Sequence, residues 1–189
     1  MSIDRVSYFV EKHMDWILKY YELSKPIERF YETGEEYLYL GKTYYFQVFE
    51  NKHPGISFQE DKMYVYYNDK MNKSLVVTKW KKEESEKIFS EILYQCFNKM
   101  KNYLDSYPIL EIKKYKSRWG TCYPKKNKIS LNISLIHVDL ELIEYVIFHE
   151  LAHFIHLNHS KEFHEFLRKF VSNESKLRQK LKKYKSYYE

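Results

Sequence analysis

Five of the eight histidines fall within sixteen residues, in the run HELAHFIHLNHSKEFH from position 149 to 164. It opens with His149-Glu150-Leu151-Ala152-His153, an H-E-x-x-H pattern, and His159 follows six residues after His153. On a helix His149 and His153 lie about 40° apart and one turn along, so two ring nitrogens can converge on one cation. Glu150 sits about 100° round, off the metal axis and within reach of a bound water. This is the arrangement metal-assisted hydrolysis needs: a Lewis acid activates water while a carboxylate takes its proton and returns it to the leaving amine. Random placement of these residue types yields about 0.04 such motifs in the chain, and about 0.002 with a further histidine at the tenth position.

The third ligand is open at this level. On an unbroken helix His159 would stand about 15 Å along the axis from His149, so it can join only if the chain turns at Leu157-Asn158. His156 lies on the same stripe, about 10 Å along. Glu162 or Glu165 on a following helix would complete a His/His/Glu set.

The motif requires a helix, and the sequence supplies one. Asp139 is a suitable N-cap with Glu141 in the first turn, and apolar residues from Leu140 to Phe154 on nearly every side predict a buried helix running through His156. Two imidazoles and a carboxylate buried there would be costly without a common partner. Asn158 can take the left-handed conformation that would end this helix, and Ser160 can cap the next, with Glu162 in its first turn. An interruption at Ser172-Asn173 follows.

Upstream, Phe9, His13, Trp16, Ile17 and Tyr20 predict an amphipathic helix over 4–22, stopped by Pro26. Period-two patterning from Tyr37 predicts a Tyr-rich antiparallel meander with turns at Gly41-Lys42 and Glu60-Asp61-Lys62. SLVVTKW reads as one more strand, leading into a helix from Glu83 to Leu104 striped by Ile88, Ile92, Leu93, Cys96, Phe97 and Met100. Two long strands, ILEIKKYKSRWGTCY and KISLNISL, then flank a polar loop; in the second, Ile129, Leu131, Ile133 and Leu135 form a buried face and Ser130, Asn132 and Ser134 one that can meet solvent.

The 189 residues, 44% hydrophobic and 31% charged, fit one domain with a small appendage and exclude disordered or collagenous chains. No apolar run spans a bilayer and the start has no signal-peptide core, so no membrane role and a cytoplasmic address are expected. Cys96 and Cys122 cannot build a disulfide framework and read as free thiols, one of them buried. The net charge of +6 is concentrated in the tail KLRQKLKKYKSYYE, which carries six Lys/Arg from Lys176 to Lys185 against Glu189. Leu177, Leu181, Tyr184 and Tyr188 lie on one side of it. Such a tail is either a solvated helix face or a contact for nucleic acid.

HELAHFIHLNHSKEFH, preceded by KSRWGTCYPKKNKISLNISLIHVDLELIEYVIF, resembles the YgjP-like metallopeptidases, zincins related to SprT-like zinc proteases. The hairpin YLGKTYYFQV and the helix FVEKHMDWILKYY extend the likeness over nearly the whole chain. The resemblance implies an α+β zincin-like fold, in which a mixed or antiparallel sheet packs on a long helix and on the H-E-x-x-H helix, with C-terminal helices. It implies one zinc per chain on His149, His153 and His159, with Glu150 as catalytic base and a peptide or protein as substrate. His156 and His164 then become supporting residues around the ligands. Strands that usually precede the first helix are absent, and the basic tail lies outside the family motif. The expected organisation is a metallopeptidase domain over 1–175 (helix and hairpins 1–80, helix 81–106, catalytic part 107–175) and a tail over 176–189. In zincins an edge strand beside the metal pairs with substrate, a role that Arg118, Trp119 and Gly120 could fill. The other reading puts Trp119 in the core, Arg118 beside an acid and Gly120 in a bulge. Tyr115 and Tyr123 could donate to an oxyanion, without a reason to choose between them. The competing function is a non-catalytic metal module that binds nucleic acid or a protein.

Overall fold

The alternating stretch from Glu36 to Tyr67 does form strands, and what they pair with is the first difference from expectation. In the computed structural model, which describes residues 3–16, 18 and 31–184, β1 (Glu36–Tyr39), β2 (Lys42–Glu50), β3 (Gly55–Gln59) and β4 (Lys62–Tyr67) make a sheet of order β1-β2-β4-β3. β1–β2 and β3–β4 are antiparallel hairpins, but β2 pairs with β4 in parallel, so the sheet is mixed and the simple meander is wrong. The loop between β2 and β3 is long enough to cross two strand spacings, about 10 Å, and β4 returns into the gap. Alternation specifies faces, not neighbours.

The β1–β2 turn lies at Leu40-Gly41, one residue earlier than expected, with both residues at positive φ (48° and 77°). A two-residue turn of this kind matches the twist of the strands. Leucine is a poor choice there, and tertiary bonds hold it: Leu40 N–H donates to Ile136 O at 2.9 Å and Gly41 N–H to His137 O at 3.2 Å. A Cβ on Gly41 would stand 2.6 Å from Asp139 Oδ1. The hairpin tip is thereby fixed to the start of the H-E-x-x-H helix.

SLVVTKW is not a strand. It forms the opening turns of a 28-residue helix that follows α1 (Ile3–Lys12), namely α2 (Lys73–Met100), whose N-cap Asn72 accepts from Leu75 N. Strand propensity of Val76 and Val77 is a weak preference, overridden by the cap and by burial against Tyr37, Phe46, Met63 and Val65. Farther along, Phe89, Leu93, Cys96 and Met100 enter a second, larger core. The helix thus spans both. Of the expected N-terminal helix, α1 covers the start; Ile17, Tyr20 and Pro26 lie outside the described residues.

The next two predicted strands are also broken up. Residues 109–123 divide into β5 (Ile109–Lys113) and β6 (Gly120–Tyr123), and KISLNISL becomes β7 (Lys128–Asn132) followed by a 3-10 turn over Ile133–His137. The order is β5-β7-β6, with β5 parallel and β6 antiparallel to β7, leaving β6 at an edge. Ser130, Asn132 and Ser134, expected to face solvent, are buried. Asn132 explains the break: its side chain accepts from Ser134 N and donates to Tyr115 O and Arg118 O, at 2.8 and 2.9 Å in the last two cases. The sequence pattern counted it as a surface position, but it shapes the loop that delivers β6.

Three helices close the fold: α3 (Leu140–Ala152), α4 (Lys161–Leu167) and α5 (Glu174–Lys182). Together with the mixed sheets and α2 they give the expected α+β, zincin-like arrangement. Leu177 and Leu181, the apolar side of the tail, are buried with α3. Asp139 occupies the N-cap position of α3 but makes no capping bond; its carboxylate accepts from Tyr184 Oη at 3.0 Å and pairs with Lys180 at 3.1 Å. Lys185 and Tyr188 lie outside the described residues. Among the described residues no helix is long and apolar enough to cross a membrane.

Candidate metal centre

α3 is buried along most of its length, including Ile143, Ile147, Leu151 and Glu150, so its polar face is held rigidly. It ends at Ala152, earlier than the expected His156. His153 is the C-cap, and Phe154, Ile155 and His156 donate to carbonyls at the helix end, turning the chain at once. Asn158 does not adopt positive φ; the reversal is made by the turn that begins at His153. This earlier turn removes the helical distance that would have kept His159 away.

One ring nitrogen each from His149, His153 and His159 lie within 4.8 Å of one another. His159 Nε2 faces His149 Nε2 at 2.9 Å, and His153 Nδ1 is paired with His156 O at 3.0 Å. The latter bond uses the δ nitrogen as donor and leaves Nε2 as the acceptor, as a carbonyl partner does for a ligating imidazole. Among the described residues no other His/Cys/Asp/Glu cluster of three has this proximity. Glu162 and Glu165 are not in it; Glu165 is instead 3.5 Å from Lys161. His156 takes part through its carbonyl, and its ring lies 5.5 Å from Phe166.

The donor set fits a cation such as zinc. Burial, then the neighbouring imidazoles, push His149 down to about 3, and burial also lowers His153 and His159. All three therefore stay neutral and keep a lone pair near pH 7. His149 Nδ1 is buried with no hydrogen-bond partner among the described residues. Two facing imidazole nitrogens repel unless a proton or a cation lies between them, and three neutral rings with an exposed side at His159 suit an open metal site.

Phe163 was not legible as a site residue. It is fully buried and its ring centroid lies 5.0, 4.7 and 4.9 Å from those of His149, His153 and His159. One apolar ring thus backs all three imidazoles. Its helix is capped by Ser160, as expected, with Phe163 N donating to Ser160 Oγ. The signal available in sequence was only its place in the Phe163, Phe166, Leu167 stripe. Glu174 was also missed. It is 8% exposed, pairs with His164 Nδ1 at 2.6 Å, and His164 in turn stacks on His159 with 6.3 Å between centroids.

Glu150 is 6% exposed and abuts β6. Asn132 N–H bonds Trp119 O, so by antiparallel alternation the backbone groups of Gly120 and Cys122 point away from β7. Cys122 N–H points that way, towards the Glu150 side, and favours the charged carboxylate. A Cβ on Gly120 would lie 2.7 Å from Glu150 Oε1, so only glycine leaves room for the carboxylate. Burial pushes Glu150 up to about 8, and Cys122 N–H and the Arg118 charge oppose that rise. Trp119 is in the core, while Arg118 is exposed beside Tyr115 and Thr121. Tyr115 Oη donates to Ser130 Oγ, at 2.9 Å. Cys122 is pushed up to about 12, mainly by burial, and both cysteines are free.

These groups line a cleft of about 320 Å³ walled by Gly120, Thr121, Cys122, His149, Glu150, His153 and His159. The family described as YgjP-like, metallopeptidase domain, matches residues 1–184. The chain belongs to the YgjP-like metallopeptidase family. Among solved structures, the metallopeptidase zymogen jannalysin of Methanocaldococcus jannaschii is 25% identical at a TM-score of 0.45, over 50% of this chain and 94% of its own. The zymogen abylysin of Pyrococcus abyssi is 18% identical at 0.44, over 49% and 90%. No curated protein matches.

Proposed function

We propose that this YgjP-like metallopeptidase is a zinc-dependent peptidase in which His149, His153 and His159 hold the ion and Glu150 is the general base. The carrying observation is that three imidazole nitrogens within 4.8 Å and a buried carboxylate on the adjoining helical position open into one cleft. Zinc bound there would act as a Lewis acid and lower the pKa of its water towards neutrality. Glu150 takes the water's proton on a carboxylate oxygen and passes it to the leaving amine. Without a cation, burial holds this carboxyl up to about 8 and mostly protonated at neutral pH. Positive charge beside the imidazoles favours the carboxylate, which couples basicity to an assembled site.

An extended peptide or protein segment is the substrate, entering past Gly120 and Thr121 with Arg118 outside and Trp119 anchoring the segment in the core. Residues 1–175 are taken as the metallopeptidase domain and 176–189 as its basic tail. Glu150→Gln tests the assignment, since the amide keeps the shape and cannot accept the proton. Metal analysis should show zinc retained while hydrolysis of an unfolded protein falls by about 10²- to 10⁴-fold. Unchanged hydrolysis would remove Glu150 from the mechanism.

A further inference from the structure

A second cleft, about 550 Å³, opens on the other side of His164, between the end of α4 and α5. Arg168, Lys176, Arg178 and Lys182 line it, against one acid, Glu174. That carboxylate is already engaged, by His164 at 2.6 Å and Arg168 at 3.7 Å. Lys176, Arg178 and Lys182 have no carboxylate partner among the described residues, and all three are exposed. Holding like charges around a concavity is unfavourable unless an anion visits it. The cleft is also one ring away from the metal centre, because His164 stacks on His159. Arg178 is near enough to act electrostatically on both His149 and His159.

Resting on the peptidase reading, we propose that this cleft binds a carboxylate of the peptide substrate, so that Arg178 and Lys182 select acidic peptides at the metal site. Guanidinium groups match carboxylates in geometry as well as charge. The carboxylate can come from an Asp or Glu side chain or from a free C-terminus. A nucleic-acid strand fits less well: such sites pair a charged track with aromatic side chains for base stacking, and no Phe, Tyr or Trp lines this cleft.

The test is binding to zinc-loaded Glu150→Gln protein, with and without the surface reversal Arg178→Glu/Lys182→Glu. Three labelled peptides of one length serve as probes: internal Asp/Glu with an amidated end, neutral with a free C-terminus, and neutral with an amidated end. At least one carboxylate-bearing peptide should bind about tenfold tighter than the neutral amide, with a preference that falls with salt and vanishes on reversal. Which of the two shows it identifies the source. Equal binding of all three, or a preference that survives reversal, overturns the proposal. So does a single-stranded oligonucleotide whose binding is lost on reversal while peptide binding is unchanged. Cleavage of the same peptides by zinc-loaded protein that keeps Glu150 tests the peptidase reading separately: equal binding with all peptides cleaved would leave that reading standing, and a carboxylate preference in a protein that cleaves nothing even with Glu150 present would sink it and keep the carboxylate site.

Discussion

The two halves of the candidate metal centre are built differently. His149 and Glu150 stand on a buried helix fixed by its neighbours, with Glu150 6% exposed and packed against a strand edge at Gly120. His159 is exposed and arrives from a turn after the helix has ended. The Glu150 carboxylate is therefore positioned by the core, and the His159 ring by local turn bonds and the ring of Phe163. In such a site, damage to the core should cost stability and function together, whereas damage to the turn should cost metal and little else.

Phe163→Ala is the severest way to break that division, because one ring supports ligands from both halves. It should destabilise the protein by about 3–5 kcal/mol, seen as a lower denaturation midpoint, and zinc affinity should fall with it. Retained affinity would show that the imidazoles converge without their apolar backing. Gly120→Ala probes the core half alone. The new Cβ contests the space of the Glu150 carboxylate, so overpacking should cost about 1–3 kcal/mol and hydrolysis should drop more than tenfold while bound zinc, measured by metal analysis, stays near one per chain.

Acidity separates the halves by sign in chelated protein. Glu150, raised from 4.5 to about 8, contributes stability that is complete below 4.5 and lost as pH rises through 8. His149, lowered from 6.5 to about 3, contributes stability present above 6.5 and lost as pH falls through 3. Between 4.5 and 6.5 these two offset, while the lowered His153 and His159 favour the higher pH. Metal-free protein should therefore be most stable near pH 6.5 and lose roughly 1.4 kcal/mol per unit as the pH climbs towards 8. Thermal melts across this range that rise from 6.5 to 8 would contradict the buried state of Glu150. His159→Ala is the mildest change to the fold: stability of the chelated form should move by less than about 0.5 kcal/mol, yet a zinc titration should show much weaker binding. A large stability loss would mean that the exposed ligand also holds the turn together.

How much of this could be read in advance differs from residue to residue. His149, Glu150 and His153 were legible because helical spacing alone brings them onto neighbouring directions. The break of SLVVTKW into a helix was not, because Val76 and Val77 respond to the sheet they cover rather than to their own propensity. Gly120 was noticed for close approach, but that the approaching group is Glu150 depends on β6 lying beside α3. Asn132, Phe163 and Glu174 were invisible as site residues, since each acts on a partner distant in sequence or hidden by burial.

By itself the sequence determined the H-E-x-x-H pattern that groups His149, Glu150 and His153, the N-cap of α4 and the presence of strands from Glu36 to Tyr67, all of which depend on spacings of a few residues. Only the tertiary structure decided that β2 pairs with β4, that α3 stops at Ala152 so that His159 reaches His149, and that a basic cleft lies one imidazole away. Those outcomes depend on which surfaces meet after the chain has turned, and burial and long-range hydrogen bonds set them where local propensity is too weak to choose.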